Sequence, residues 1–227
     1  MINFKLNGLE VSYDGDPKMS LLHYLREIAG IVSVKNGCSG EAVCGACLVE
    51  MNARPALSCI TPMAKVNGAN IMTIEGFPER LRQTLGRAFV AKGAVQCGFC
   101  TPGFLSRAKI LLETNPQPGR KEIIHALRFN LCRCTGYVKI IDAVELAADH
   151  LRKNRELKLP NAGKVGADQP KYDAYNKAIG NSAFIDDLHP DGMLHAALKF
   201  SDHPRATIRR IDCAAAEKIA GVVRILR

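Results

Sequence analysis

Residues 37–50 read GCSGEAVCGACLVE, three cysteines set among three glycines. Cys38, Cys44 and Cys47 follow the spacing C-x5-C-x2-C, and Cys59 comes after a further 11 residues. Gly37, Gly40 and Gly45 stand among the first three cysteines. A loop that wraps a cluster with its backbone amides turned toward sulfide needs glycine torsions and close backbone approach. That chemistry suits a [2Fe-2S] core better than a zinc ion. Plant-type ferredoxins carry C-x4-C-x2-C with a distant fourth ligand, so this loop holds one extra residue in the first gap.

A second set lies further on, in QCGFCTPG (96–103) and LCRCTGY (131–137): Cys97, Cys100, Cys132 and Cys134. Each pair precedes an expected helix, one with Thr101 as cap and Pro102 at its first position, the other starting near Tyr137. Helix N-termini favour thiolates and the negative charge of a cluster carrying four of them. Zinc ribbons pair two C-x2-4-C knuckles, a scheme that the Cys132-x-Cys134 pair and the glycine-rich first set fit poorly.

The 227 residues carry nine cysteines, no tryptophan, 47% hydrophobic residues and a formal charge of +9. This composition excludes a disordered or collagen-like chain. The cationic residues are scattered and aromatics make up only 6%, so no groove for nucleic acid is expected. The N-terminus lacks the apolar core of a secretory signal, and no run approaches the roughly 18 apolar residues of a membrane span. A cytoplasmic chain is therefore expected, with clustered cysteines held as thiols for metal or redox work. Cys213, alone beside Ala214, Ala215 and Ala216, reads as a small buried residue. The six histidines show no H-x-x-x-H pair of a metal hydrolase.

Outward from the cysteines, alternation predicts strands over 2–6, 10–13, 47–51 and 70–74. One helix is expected between them, capped by Ser20, with Leu21, Leu22, Leu25 and Ile28 on its apolar face and Gly30 at its end. After Gly76 the period becomes helical. Four amphipathic stretches follow, carried by Phe77 to Phe89, Phe104 to Leu112, Ile123 to Leu131 and Tyr137 to Leu151. A polar linker is expected over 155–170, then strands over 193–199 and 222–226 with a short helix over 214–219. The expected class is α+β.

On CGAC, ITPM, TIEGF, QCGFCTPG and LCRCTGY, residues 1 to about 153 resemble the iron–sulfur region of the molybdenum hydroxylases, the xanthine dehydrogenase and aldehyde oxidoreductase family. The five-residue gap after Cys38, with VKNGC and LGRAFV, looks more like the purine-hydroxylating branch sometimes called selenium-dependent xanthine dehydrogenases. The resemblance implies a β-grasp ferredoxin domain over 1–75 holding one [2Fe-2S] cluster on Cys38, Cys44, Cys47 and Cys59. It implies a four-helix domain over 76–154 holding a second on Cys97, Cys100, Cys132 and Cys134. Residues 171–227 resemble the start of the α/β hammerhead domain that opens the molybdenum-binding portion, with Phe184 where the family often has Tyr.

In that family the residues matching Gln96 and Cys134 approach the molybdopterin. The bland alternative for Gln96 is a loop hydrogen bond. The catalytic carboxylate and molybdenum contacts match nothing in these residues, so the expected chemistry is electron transfer from molybdopterin through both clusters. The exit would be the loop at Ser39, Gly40 and Glu41, toward a flavin or external acceptor. Any FAD would sit on a separate subunit, since only the linker separates clusters from hammerhead and no G-x-G-x-x-G fingerprint is present. The expected partner is a molybdenum-binding large chain, or a continuation of this one, that oxidises a small heterocycle or aldehyde in a hetero-oligomer. Two rivals stand beside this: a stand-alone two-cluster carrier, and a zinc-stabilised interaction module.

Overall fold

A computed structural model of the protein describes residues 1–159, 163, 165–167 and 169–227. Part of the expected linker, residues 160–162, 164 and 168, lies outside the described residues. Two compact units divide at Leu188/His189.

In the first unit, β1 (Ile2–Leu6) and β2 (Leu9–Tyr13) form a hairpin. Asn7 and Gly8 turn it with φ of 52° and 85°, the left-handed pair that matches the twist of a two-residue hairpin. Strands β3 (Leu48–Met51), β4 (Arg54–Leu57) and β5 (Asn70–Met72) complete a sheet in the order β2-β1-β5-β3-β4, with β1 and β5 parallel and the other pairs antiparallel. Phe4, Leu6, Val49 and Ile71 turn one face inward onto Leu21, Leu22, Tyr24 and Leu25.

Ser20 caps α1 (Leu21–His23), its hydroxyl accepting from the His23 N–H. The helix then widens into a π turn, Tyr24–Ile28, closed by Gly30 at φ 68°. The wider turn rotates the register. Ile28, expected on the apolar face, is consequently exposed.

The sheet is followed by α2 (Glu79–Ala91), α3 (Thr101–Thr114), α4 (Arg120–Leu127) and α5 (Val138–Arg152). They enclose a second core around Leu85, Phe89, Phe104, Leu105, Ile123 and Val144. Each such side chain contributes about 1.5–3 kcal/mol when removed from water. Two details differ from expectation. Helix α3 begins with Thr101 inside it and Pro102 next, so Thr101 is not the cap. Leu131 lies beyond α4 and is exposed, because the chain leaves the helix after Leu127 to reach the cysteine loop.

A short α6 (Ala174–Ala178) packs Ala174, Ala178 and Ile179 into the same helical core. Residues 171–188 thus pack as part of the first unit. In His189–Arg227 the expected strands over 193–199 and 222–226 do not form: among the described residues these stretches pair with no other segment. Strands need a hydrogen-bonded neighbour. Only a 3-10 turn, Ala216–Lys218, forms where the short helix was expected. No helix among the described residues is long and apolar enough to cross a membrane.

Candidate metal centres

The loop between α1 and β3 carries Cys38, Cys44 and Cys47, and Cys59 enters from the 3-10 turn after β4. Ser39, Gly40, Ala42 and Gly45 all have positive φ. That succession of left-handed residues curls the loop and turns its amides inward. Burial pushes the Cys38 thiol up, but N–H donors from Val43, Cys44 and Glu41 outweigh it and leave the value lowered. At Cys44 burial dominates over the donation from Ala46, and the thiol rises, with Cys38 and Cys59 adding to the rise. Cys47, deeper still, is pushed up to about 12 by burial and lies against Cys59, whose N–H faces its sulfur. A Cβ at Gly37 would lie 3.0 Å from Cys44 Sγ. No larger residue fits there without displacing a sulfur.

The second set gathers at one end of the helices. Cys97 Sγ and Cys134 Sγ lie 3.6 Å apart and both residues are exposed. Cys100 is more enclosed: burial pushes its thiol up, with Cys132 and Cys97 adding to the rise. Burial opposes ionisation of Cys132 too, yet the Thr135 hydroxyl 3.1 Å away and the Thr135 N–H at 3.4 Å outweigh it and lower the thiol. Tyr137, at φ 69°, accepts from the Cys132 N–H through its hydroxyl at 3.0 Å and so fixes the cysteine loop. From sequence Tyr137 reads only as the start of a helix, and its adjacency to Cys132 and Cys134 is the one signal of a place in this site.

Gln96 Nε2 donates to Cys134 O at 3.0 Å, with both residues exposed. This is the loop hydrogen bond set above as the alternative for Gln96, and it links two residues 38 apart in the chain. Cys213 belongs to the second unit and is buried, as expected.

The donor chemistry fits a pair of iron–sulfur clusters. Each set offers four thiols, soft ligands suited to iron–sulfur, with N–H donors aimed at sulfur. Such donors stabilise charge on thiolate and sulfide alike and tune the potential.

The profile described as a 2Fe-2S iron-sulfur cluster binding domain matches residues 4–65, and that described as a [2Fe-2S] binding domain matches 73–145. The chain is 46% identical over 149 residues to a nicotinate dehydrogenase small FeS subunit from Eubacterium barkeri, covering 65% of this chain and 94% of that one. It belongs to the molybdenum hydroxylase family, as the iron–sulfur portion. An aldehyde oxidoreductase from Megalodesulfovibrio gigas is 37% identical over 96% of this chain, which spans 25% of that relative. The solved aldehyde oxidoreductase of Desulfovibrio desulfuricans ATCC 27774 superposes with a TM-score of 0.87 at 35% identity, covering 99% of this chain and 26% of that one. Within this oxidoreductase family the chain supplies two [2Fe-2S]-binding domains, and their work is electron transfer.

Proposed function

We propose that Cys38, Cys44, Cys47 and Cys59 hold one [2Fe-2S] cluster in a domain of residues 1–75, and that Cys97, Cys100, Cys132 and Cys134 hold the other in a domain of residues 76–154. When bound, each cluster takes up and gives back one electron. Gln96 and Cys134 form the edge that meets molybdopterin in a molybdenum-binding large chain or a continuation of this one. The observation that carries this is the exposed Gln96 Nε2 to Cys134 O bond beside the exposed Cys97 and Cys134 sulfurs. With the clusters bound, the loop at Ser39, Gly40 and Glu41, whose three residues are exposed, would face a flavin subunit or an external acceptor.

The substrate class follows from the relatives' names: N-heterocycles or aldehydes, oxidised with water as the oxygen source. The match to aldehyde oxidoreductase over 96% of this chain supports reading the residues after the linker as the opening of a hammerhead domain. Clustered cysteines without a paired disulfide framework in the sequence suit a cytoplasmic location. Purification of the native complex, with metal analysis and intact mass, tests the reading. Iron for two clusters, molybdenum and a large polypeptide are expected. Iron without molybdenum or partner would leave a stand-alone carrier, and a colourless zinc protein would overturn both.

A further inference from the structure

Phe99, between Cys97 and Cys100, reaches from the helical cysteine loop to the sheet domain's loop. Its Cε1 would lie 3.3 Å from a Cβ at Gly37, the same position that meets Cys44 Sγ at 3.0 Å. One aromatic side chain therefore spans the gap between the two cysteine sets.

Residues 171–188 hold that side chain from the other side. Phe184 packs edge-on against Phe99, with centroids 5.4 Å apart and planes at 88°. Lys35 Nζ sits 4.6 Å from the centre of the Phe184 ring. Asp187 Oδ2 accepts from Lys35 Nζ at 2.6 Å, and Oδ1 accepts from Arg26 Nη2 at 2.7 Å. The three side chains are only 6%, 2% and 2% exposed for Arg26, Lys35 and Asp187. Asp187 also accepts from the Phe184 N–H at 2.8 Å, fixing the ring's own backbone.

The segment touches both loops with no slack. A Cβ at Gly98, next to Phe99, would lie 2.6 Å from Lys177 Cβ, and one at Gly180 would lie 2.4 Å from Ser33 Cβ. A buried carboxylate shared by two cations is costly to expose or to half-remove. The clamp therefore favours one relative placement of the two loops.

We propose that residues 171–188 form an intramolecular strap whose Phe184 and Asp187 are positioning residues for electron transfer between the clusters: they press Phe99 against Gly37 and set the spacing of the two cysteine loops. With both clusters bound, the transfer that this spacing serves would be a single electron passing from the helical-domain cysteine set to the sheet-domain set, with no bond made or broken and no proton transferred. The proposal rests on the eight-cysteine assignment above.

The test uses the full chain loaded with iron and sulfide, as wild type, Phe184→Ala, Phe184→Tyr and Asp187→Asn. Iron content and visible spectra come first: a wild type without two clusters refutes the cysteine assignment, not the strap. With both clusters reduced, the magnetic splitting between them reports their separation, and rapid partial reduction reports equilibration between them. The strap predicts that Phe184→Ala and Asp187→Asn keep their iron, lose splitting and equilibrate at least tenfold more slowly, while Phe184→Tyr behaves as wild type. A strap that merely adds stability would lower the unfolding midpoint and leave splitting and rate unchanged, which overturns the proposal. Should Asp187→Asn fail to fold, Phe184→Ala alone decides by the same two readouts.

Discussion

Lys109 Nζ lies 2.5 Å from Glu50 Oε2, joining α3 to β3 across the seam between the two cores. Both side chains are buried, and Lys109 also meets Glu113 Oε2 at 2.7 Å. Replacing Lys109 by Met strands Glu50 as an uncompensated buried charge. A loss of about 3–5 kcal/mol is expected, read as a lower urea midpoint for bleaching of the clusters. Adding Glu50→Met should recover most of it, and failure to recover would mean the pair contributes more than mutual neutralisation.

Cysteine replacement tests the eight proposed ligands against Cys213. Cys132→Ser is expected to keep the sheet-domain cluster and lose the helical one, halving iron per chain. Cys213→Ser should retain full iron and an unchanged visible spectrum. Iron loss in Cys213→Ser would place that residue in a site the eight-cysteine assignment leaves out.

Gln96→Ala removes an exposed hydrogen bond, so stability should change by no more than about 1 kcal/mol. Both clusters should form and reduce normally with dithionite. In the assembled enzyme, reduction of the clusters by substrate should slow at least tenfold while substrate KM stays near wild type. Unchanged reduction would return Gln96 to a plain loop contact.

Much of this was legible because covalent chemistry and periodicity write themselves locally. The eight cysteines stand at spacings that only a few metal sites use, and alternation at Phe4 and Leu6 or the helical period through Leu85 and Phe89 marks each core. Strand β4 was missed because Arg54-Pro55 is a short edge segment without alternation, turned by Asn52 and Ala53 at positive φ. The Arg26, Lys35 and Asp187 cluster left no mark at all. Its partners stand more than 150 residues apart, and nothing in a lone Asp announces which cations it will meet.

That cluster gives a pH dependence. Burial pushes the Asp187 carboxyl up, but Lys35, the Phe184 N–H and Arg26 outweigh it and hold it below the usual carboxylate range. Because the folded value is the lower one, the contribution is present above the unfolded value of about 3.9 and is lost as pH falls through the folded value. Lys35 is lowered, chiefly by burial, so its buried charge opposes folding and that cost eases as pH rises. Exposed Asp186, 3.7 Å from Arg26, adds little. Hydrogen exchange over 184–188, corrected for intrinsic rates, should be flat from about pH 5 to 8 and lose protection only in stronger acid. Asp187→Asn should abolish that acid step, and its persistence would assign it to another carboxylate.

Gly103, in the first turn of α3, lets that helix approach the first cysteine loop backbone to backbone. A Cβ there would lie 2.5 Å from Gly45 O, and one at Gly45 would lie 2.6 Å from Phe129 O. Around this contact, Leu131 N–H donates to Cys44 O at 2.9 Å and Asn130 Nδ2 donates to Gly45 O at 3.2 Å. The loops of both cysteine sets therefore share one seam. Gly103→Ala forces the seam open, at a cost of about 1–3 kcal/mol for overpacking. Because α3 carries Gly103 one turn after Cys100, both clusters should become more labile, visible as faster iron release to a chelator from each. Release from one cluster alone would mean that the two loops are not mechanically joined.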